Sequence, residues 1–272
     1  MSGSPRVGLV LGAGGVPGGA YIRAALAELE TIVGWSPGSA TTIVGTSVGA
    51  LNGARQPLPE VSSPATDDHL VSFQRMGQVL APPASGPFTP VVARVRSMGG
   101  RVVARLAPAG SHAQDYEVAD APYHPGVVTI SVRRGGGQRR PARLVDAAQP
   151  QAELYASAAV PGFVTPVVID GDEWIDGAVW SSTNADLVRV EDHDALVVIA
   201  PMSLPARAAI SWPAPTEPNS AWSSARGWRP GKPLVVVSPT GDEQKLRPDH
   251  SAFAAAALER VRTGWGEAVV AP

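Results

Sequence analysis

Ser47 stands in Gly45-Thr46-Ser47-Val48-Gly49, a G-x-S-x-G arrangement. Such a serine sits on a sharp strand-to-helix turn in a strained backbone, with its Oγ standing clear of the sheet. Gly45 and Gly49 suit that turn because a Cβ at either flank would collide with strand or helix. The helix that begins near Val48 places its free N–H groups and its dipole where negative charge would develop. The bland alternative is a serine that merely caps this helix. A serine hydroxyl is a poor nucleophile until a base accepts its proton, and the chain offers two sources. His193 and His250 follow Asp176, which is the order of an α/β-hydrolase triad. That fold, however, runs several strands before its elbow, and only one precedes the strand carrying Ser47. His193, in "VEDHDA", reads as a solvated loop, and His250, in "RPDHSA", as a helix start. The second source is a carboxylate acting directly. Asp170-Gly171 lies between "PVVI" and "EWI" and reads as a hairpin turn. Asp176-Gly177 follows the returning strand, where no reversal is needed, so it is either a further turn or the base.

A second stretch, "VLGAGGVPGGAY" from Val10 to Tyr21, could cradle a phosphate or an oxyanion. A dinucleotide fingerprint needs G-x-G-x-x-G and then an acidic residue at the end of the second strand. Counting from Gly12, Gly14 fits but the third position is Pro17; counting from Ala13, Gly15 and Gly18 fit but the first glycine is missing. The second strand ends in "VGTS", without a carboxylate, and no G-K-[ST] follows the glycines. The nucleotide reading fails on these counts.

The elements that must hold these residues follow from periodicity. Arg6 to Leu11, Thr41 to Gly45, Val127 to Val132, Ala195 to Ala200 and Pro233 to Ser238 are short apolar runs suited to buried strands. Helices are predicted over Ala20 to Val33, Leu70 to Leu80, Val91 to Leu106, Leu144 to Ala159 and Phe253 to Arg262. Strand, glycine turn, helix, strand is the opening of a parallel sheet with crossover connections. No repeat or linker divides the chain, so residues 1–272 read as one domain. The proline-rich stretch 56–120 reads as an insertion or lid. Residues 201–232, with Trp212, Trp222 and Trp228, read as an irregular loop that is either a pinned surface excursion or a contact for lipid or substrate.

Composition limits the partners. The net charge is −2, with 44% hydrophobic and 17% charged residues, so no global electrostatic case for nucleic acid exists. The absence of cysteine removes thiolate chemistry and disulfides. No metal or cofactor is expected. No apolar run reaches the roughly 18 residues of a membrane span. The first residues loosely imitate a signal peptide, but cleavage would remove the first strand and its loop, so a cytoplasmic location is expected. Val91, Val95, Met98 and Val102 share a helical face, with Arg94, Arg101 and Arg105 along another. Peripheral membrane contact is one reading of that pattern and a solvated surface is the other. The run "RRGGGQRR", Arg133 to Arg140, reads as a turn after a strand.

Taken in order, "GAGGVPGGAY", "GTSVG", "YASAAVPGFVTPV" and "DGA" (Asp176 to Ala178) resemble the patatin-like phospholipase family. The resemblance is strongest over Val7 to Ala54 and Leu154 to Leu187. It implies a three-layer α/β/α patatin-like fold with a mainly parallel central sheet. It also implies a Ser-Asp dyad without histidine, Ser47 matching the nucleophile and Asp176 the base. The backbone N–H groups of Gly14 and Gly15 match the oxyanion hole, with Gly12, Gly18, Gly45, Gly49 and Gly177 supporting the motifs. The implied activity is hydrolysis of a lipid or other acyl ester, of the phospholipase A or lysophospholipase type. Two departures stand out: Ala13 replaces the usual first glycine of the loop, and Pro17 the usual Arg or Lys. Two alternatives remain open at this point, a catalytically silent lipid-binding protein and an α/β-hydrolase esterase using His250.

Overall fold

The computed structural model describes residues 4–54, 66–80, 104–106, 109–114, 122–202 and 232–270. All but the last three residues of the predicted helix Val91–Leu106, most of the predicted lid and nearly all of the loop 201–232 lie outside the described residues.

Eight strands form one sheet: β1 (Val7–Leu11), β2 (Thr42–Thr46), β3 (Val127–Arg133), β4 (Arg139–Arg143), β5 (Val167–Ile169), β6 (Asp172–Asp176), β7 (Ala195–Ile199) and β8 (Leu234–Val237). Their order is β5-β6-β3-β2-β1-β7-β8, with β4 also on β3. From β8 to β3 every pairing is parallel; β4, β5 and β6 pair antiparallel. The sequence "VGLVL" of β1 is buried at all five positions, as the central strand of a parallel sheet covered on both faces must be. Alternate strand residues then serve two cores. Leu9, Leu11, Ile43, Val197 and Val235 face a helical layer, while Val10, Val44, Ile130, Val198 and Val236 face Ala185 and Val188. The expected layered α/β architecture with a mainly parallel sheet is present. Among the described residues, its second outer layer is made of short 3-10 turns between Gly177 and Asp192.

The helical layer contains α1 (Gly15–Val33), α2 (Val48–Ala54), α3 (Asp67–Leu80), α4 (Pro150–Ser157) and α5 (His250–Val270). Tyr21 of α1 packs on Phe253 of α5 with ring centroids 4.7 Å apart, and Trp35 meets Phe73 of α3 edge-on at 5.3 Å. Thus α3, which lies within the stretch predicted as a lid, sends Phe73 and Met76 into the core. The predicted helix Leu144 to Ala159 is two pieces, a 3-10 turn over Leu144–Asp146 and then α4. Pro150 explains the break: proline is accommodated at the first position of a helix but interrupts an interior. The strand β4, "RRPAR", is not predicted by the sequence pattern. Its positions are half exposed and carry no apolar run, so it has no hydrophobic period to announce it.

Two features of the sheet position the site. After β1 the chain proceeds to β2 and β3 on one side, and β7 and β8 add on the other. The loop following β1 therefore leaves the sheet at its topological switch point, where crevices open beyond the carboxyl ends of parallel strands. The second feature is the use of β3 by three partners. β4 occupies one edge over Val128 to Val132, so β2 and β6 must share the other. β2 reaches Ile130 through Thr46, and β6 takes over at Ser131 through Asp176. β2 is parallel to β3 and β6 antiparallel, so their carboxyl ends abut.

Candidate active site

That abutment brings Ser47, immediately beyond β2, to Asp176, the last residue of β6. The Ser47 hydroxyl faces the Asp176 carboxyl closely enough to lower its pKa as a hydrogen-bond donor. Ser47 is in the left-handed region at φ 58, a strained conformation for a side chain with a Cβ. Its backbone N–H donates to Ser157 Oγ at 3.1 Å, and its carbonyl accepts from Ala50 N–H at 2.9 Å. The turn is tight because the helix comes back onto the strand. A Cβ on Gly45 would stand 2.4 Å from Ala50 Cα, and one on Gly49 would stand 2.0 Å from the Leu11 carbonyl oxygen. Both distances are far inside contact, so the elbow admits only glycine at these positions. The same close approach locks the elbow against the loop after β1.

Asp176 is 3% exposed. Its Oδ1 accepts from Ala178 N–H at 2.7 Å, so it also caps the 3-10 turn Gly177–Val179. The turn reading of this Asp-Gly pair therefore holds, and the same carboxyl faces Ser47. Burial raises the carboxyl pKa to about 6, against the lowering effect of the hydrogen bonds from Ser47 and Ala178. Gly177 packs on the Ile130 carbonyl, at the junction of β2 and β6.

In the glycine loop, Gly12 N–H donates to Ile199 O at 2.9 Å and Ala13 N–H to Ser182 O at 2.7 Å. These bonds tie the loop to β7 and to the segment after β6. Ala13 is not among the residues with positive φ, so its Cβ is tolerated. Gly14 caps α1, and Gly18 N–H returns to the Gly14 carbonyl at 3.1 Å. Gly15, at φ 60, is the loop residue that needs the left-handed region. Pro17 lies in the first turn of α1, where its missing N–H would have had no helical partner. The N–H groups of Gly14 and Gly15 donate to no acceptor among the described residues. They belong to the set of helix-start donors that an anion can satisfy.

The histidines stand apart. His193 is 4% exposed, which corrects the expectation of a solvated loop. Its Nδ1 meets the Arg189 carbonyl and its Nε2 meets Thr42 Oγ1, each at 2.9 Å. Thr42 begins β2, so His193 lies at the amino end of the sheet, about 16 Å along the strand from Ser47. His250 opens α5 and is exposed. Neither imidazole enters the environment that sets the Asp176 pKa.

Three contributors are not marked in the sequence. Ser157 lies within "YASAAVPG" but carries no local sign of a role. Asn184 is fully buried at φ 51. Its Nδ2 donates to Thr46 Oγ1 at 3.1 Å, Ser181 O at 2.7 Å and Gly177 O at 3.4 Å. It thus laces the end of β2 to the turn that carries Asp176. Arg247 donates from Nη2 to the Gly14 carbonyl at 2.8 Å across 233 residues of sequence, a separation for which no local signal exists.

The fold and site together define a mainly parallel α/β protein with a serine elbow facing a buried carboxylate. No family model matches the chain, and no curated protein sequence does. Among solved structures, the crystal structure of VipD from Legionella pneumophila is similar at 8% identity and a TM-score of 0.41, covering 97% of this chain and 67% of that one. A likeness at that level carries no argument about function. No helix among the described residues is long and apolar enough to cross a membrane.

Proposed function

We propose that the chain is a serine acyl-ester hydrolase working through Ser47 and Asp176. The observation that carries this reading is the Ser47 hydroxyl on a strained elbow, facing a buried carboxylate. In the first half-reaction, Asp176 takes the Ser47 proton as Oγ bonds to the ester carbonyl carbon. The carbonyl oxygen becomes an alkoxide that accepts hydrogen bonds from Gly14 and Gly15 N–H. Collapse breaks the bond to the leaving alcohol oxygen, which receives the proton held by Asp176. In the second half-reaction, Asp176 deprotonates water for attack on the acyl-serine, and the serine oxygen leaves with that proton. A base near pKa 6 suits this shuttle, being ionised at neutral pH yet able to hold a proton transiently. One oxyanion donor is worth roughly 3 to 4 kcal/mol, so two can supply a large part of the barrier reduction.

The substrate class proposed is a lipid or other acyl ester. Pro17 leaves no cation at its place in the loop, which favours uncharged esters over phospholipids. Fluorophosphonate labelling tests the mechanism. Ser47 of the parent becomes labelled, while Ser47→Ala and Asp176→Asn do not. Lipid binding by an unlabelled parent would replace the hydrolase with a silent binder. For head-group preference, Pro17→Arg is expected to raise phospholipid turnover relative to a neutral ester, and an unchanged ratio rejects that part.

A further inference from the structure

The peptide between Gly14 and Gly15 decides whether the site offers an N–H or a carbonyl to a developing alkoxide. In a trans peptide the two groups point in opposite directions. A plane flip needs rotation about ψ of the first residue and φ of the second, and here both residues are glycine, with no Cβ to oppose it. Gly14 stands at φ 177, ψ −1 and Gly15 at φ 60. Flipped, the peptide would aim the Gly14 oxygen where the alkoxide must form.

Two donors hold the Gly14 carbonyl toward the body of α1, namely Gly18 N–H at 3.1 Å and Arg247 Nη2 at 2.8 Å. Arg139, Arg140, Arg260 and Arg262 each meet a carboxylate, whereas the half-buried Arg247 makes no ion pair among the described residues. Helix stability does not explain the placement, because a cation beside the amino end of a helix opposes the dipole. A charge-assisted bond to a carbonyl is stronger than a neutral one. It also polarises the peptide, making the Gly15 N–H a better donor. Building on the proposed hydrolase reading, we infer that Arg247 is a positioning residue that fixes the Gly14–Gly15 peptide with its N–H toward the oxyanion.

The test compares the parent with Arg247→Met, which keeps the apolar stem, and Arg247→Lys, which keeps a cation. Each is assayed on a soluble, uncharged p-nitrophenyl ester, and the Gly15 amide is followed by NMR with 15N-glycine. Arg247→Met is expected to lower kcat by about 10- to 100-fold, with KM within twofold, an unmoved pH inflection and a displaced Gly15 resonance. Arg247→Lys recovers most of the rate and, if the neutral variant does not fold, carries the test alone through a smaller loss in kcat. An unmoved Gly15 resonance, or a loss confined to KM, overturns the inference. A parent that cleaves no ester while Arg247→Met still displaces Gly15 overturns the hydrolase reading and leaves the positioning role standing.

Discussion

At the residue scale, the Asp176 carboxyl links activity to stability under the proposed hydrolase reading. Its folded pKa of about 6 lies above the ordinary aspartate value of 3.8, so the folded state binds this proton more tightly than the unfolded chain does. The sign follows from linkage. Between about pH 4 and 6 the folded state carries more protons, so rising pH lowers stability through that window, and above it the penalty is full. A rise of that size corresponds to about 3 kcal/mol. Asp176→Asn is therefore expected to be more stable than the parent at pH 8, by up to about that amount, with the gain vanishing below pH 4. Urea melts at the two pH values measure it, and a pH-independent difference would contradict the buried-charge account. For the proposed activity the direction reverses, because Asp176 as the proposed base must be ionised. The value of kcat/KM should rise with pH through an inflection near 6. His250 is exposed and outside this environment, so His250→Ala should leave kcat within about twofold, whereas a triad would lose orders of magnitude.

At the scale of elements, the elbow depends on how closely α2 returns onto β1 and β2. Gly49→Ala would press a Cβ to 2.0 Å from the Leu11 carbonyl, where only backbone movement gives relief. We expect a loss of more than about 3 kcal/mol, read by denaturant melts. Gly241→Ala, with nothing within 4 Å, serves as the control and should stay within about 0.5 kcal/mol. These elements also mark what was legible in the sequence. The buried strands announced themselves through continuous valine and leucine, and the elbow through two glycines that sterics make obligatory. The hairpin β5-β6 was equally plain, because Asp170 and Gly171 take φ 54 and 82, the left-handed pair a two-residue turn requires. What stayed hidden was long-range. Nothing local shows that β2 and β6 end against each other along β3, that Asn184 laces Thr46 to Gly177, or that His193 reaches Thr42. Charge around "VEDHDA" suggested solvent, yet the imidazole is buried and meets the Arg189 carbonyl and the Thr42 hydroxyl. Polarity patterns report average exposure and carry no record of which single group turns inward.

At the scale of the whole molecule, the sheet separates two tasks. Ser47 and Asp176 are both fixed at the carboxyl end of the strands, through the shared edge of β3. Much of the helical layer instead supplies apolar burial at a distance. Phe73 of α3 is fully buried and meets Trp35, which precedes β2 at its amino end. Phe73→Ala deletes a core ring and leaves a cavity, costing about 3 to 5 kcal/mol. In a chain of this size that corresponds to a melting temperature lower by about 10 °C. Because the lesion lies beyond the far end of the strand from Ser47, kcat at 25 °C should remain within about twofold of the parent wherever the variant is folded. Thermal melts and assays well below the transition check the two halves separately. A rate that fell with stability while the protein remained folded would show that the helical layer sets the geometry of Ser47 and Asp176. The site would then be a property of the whole core, and the meeting of two strand ends would not suffice to build it.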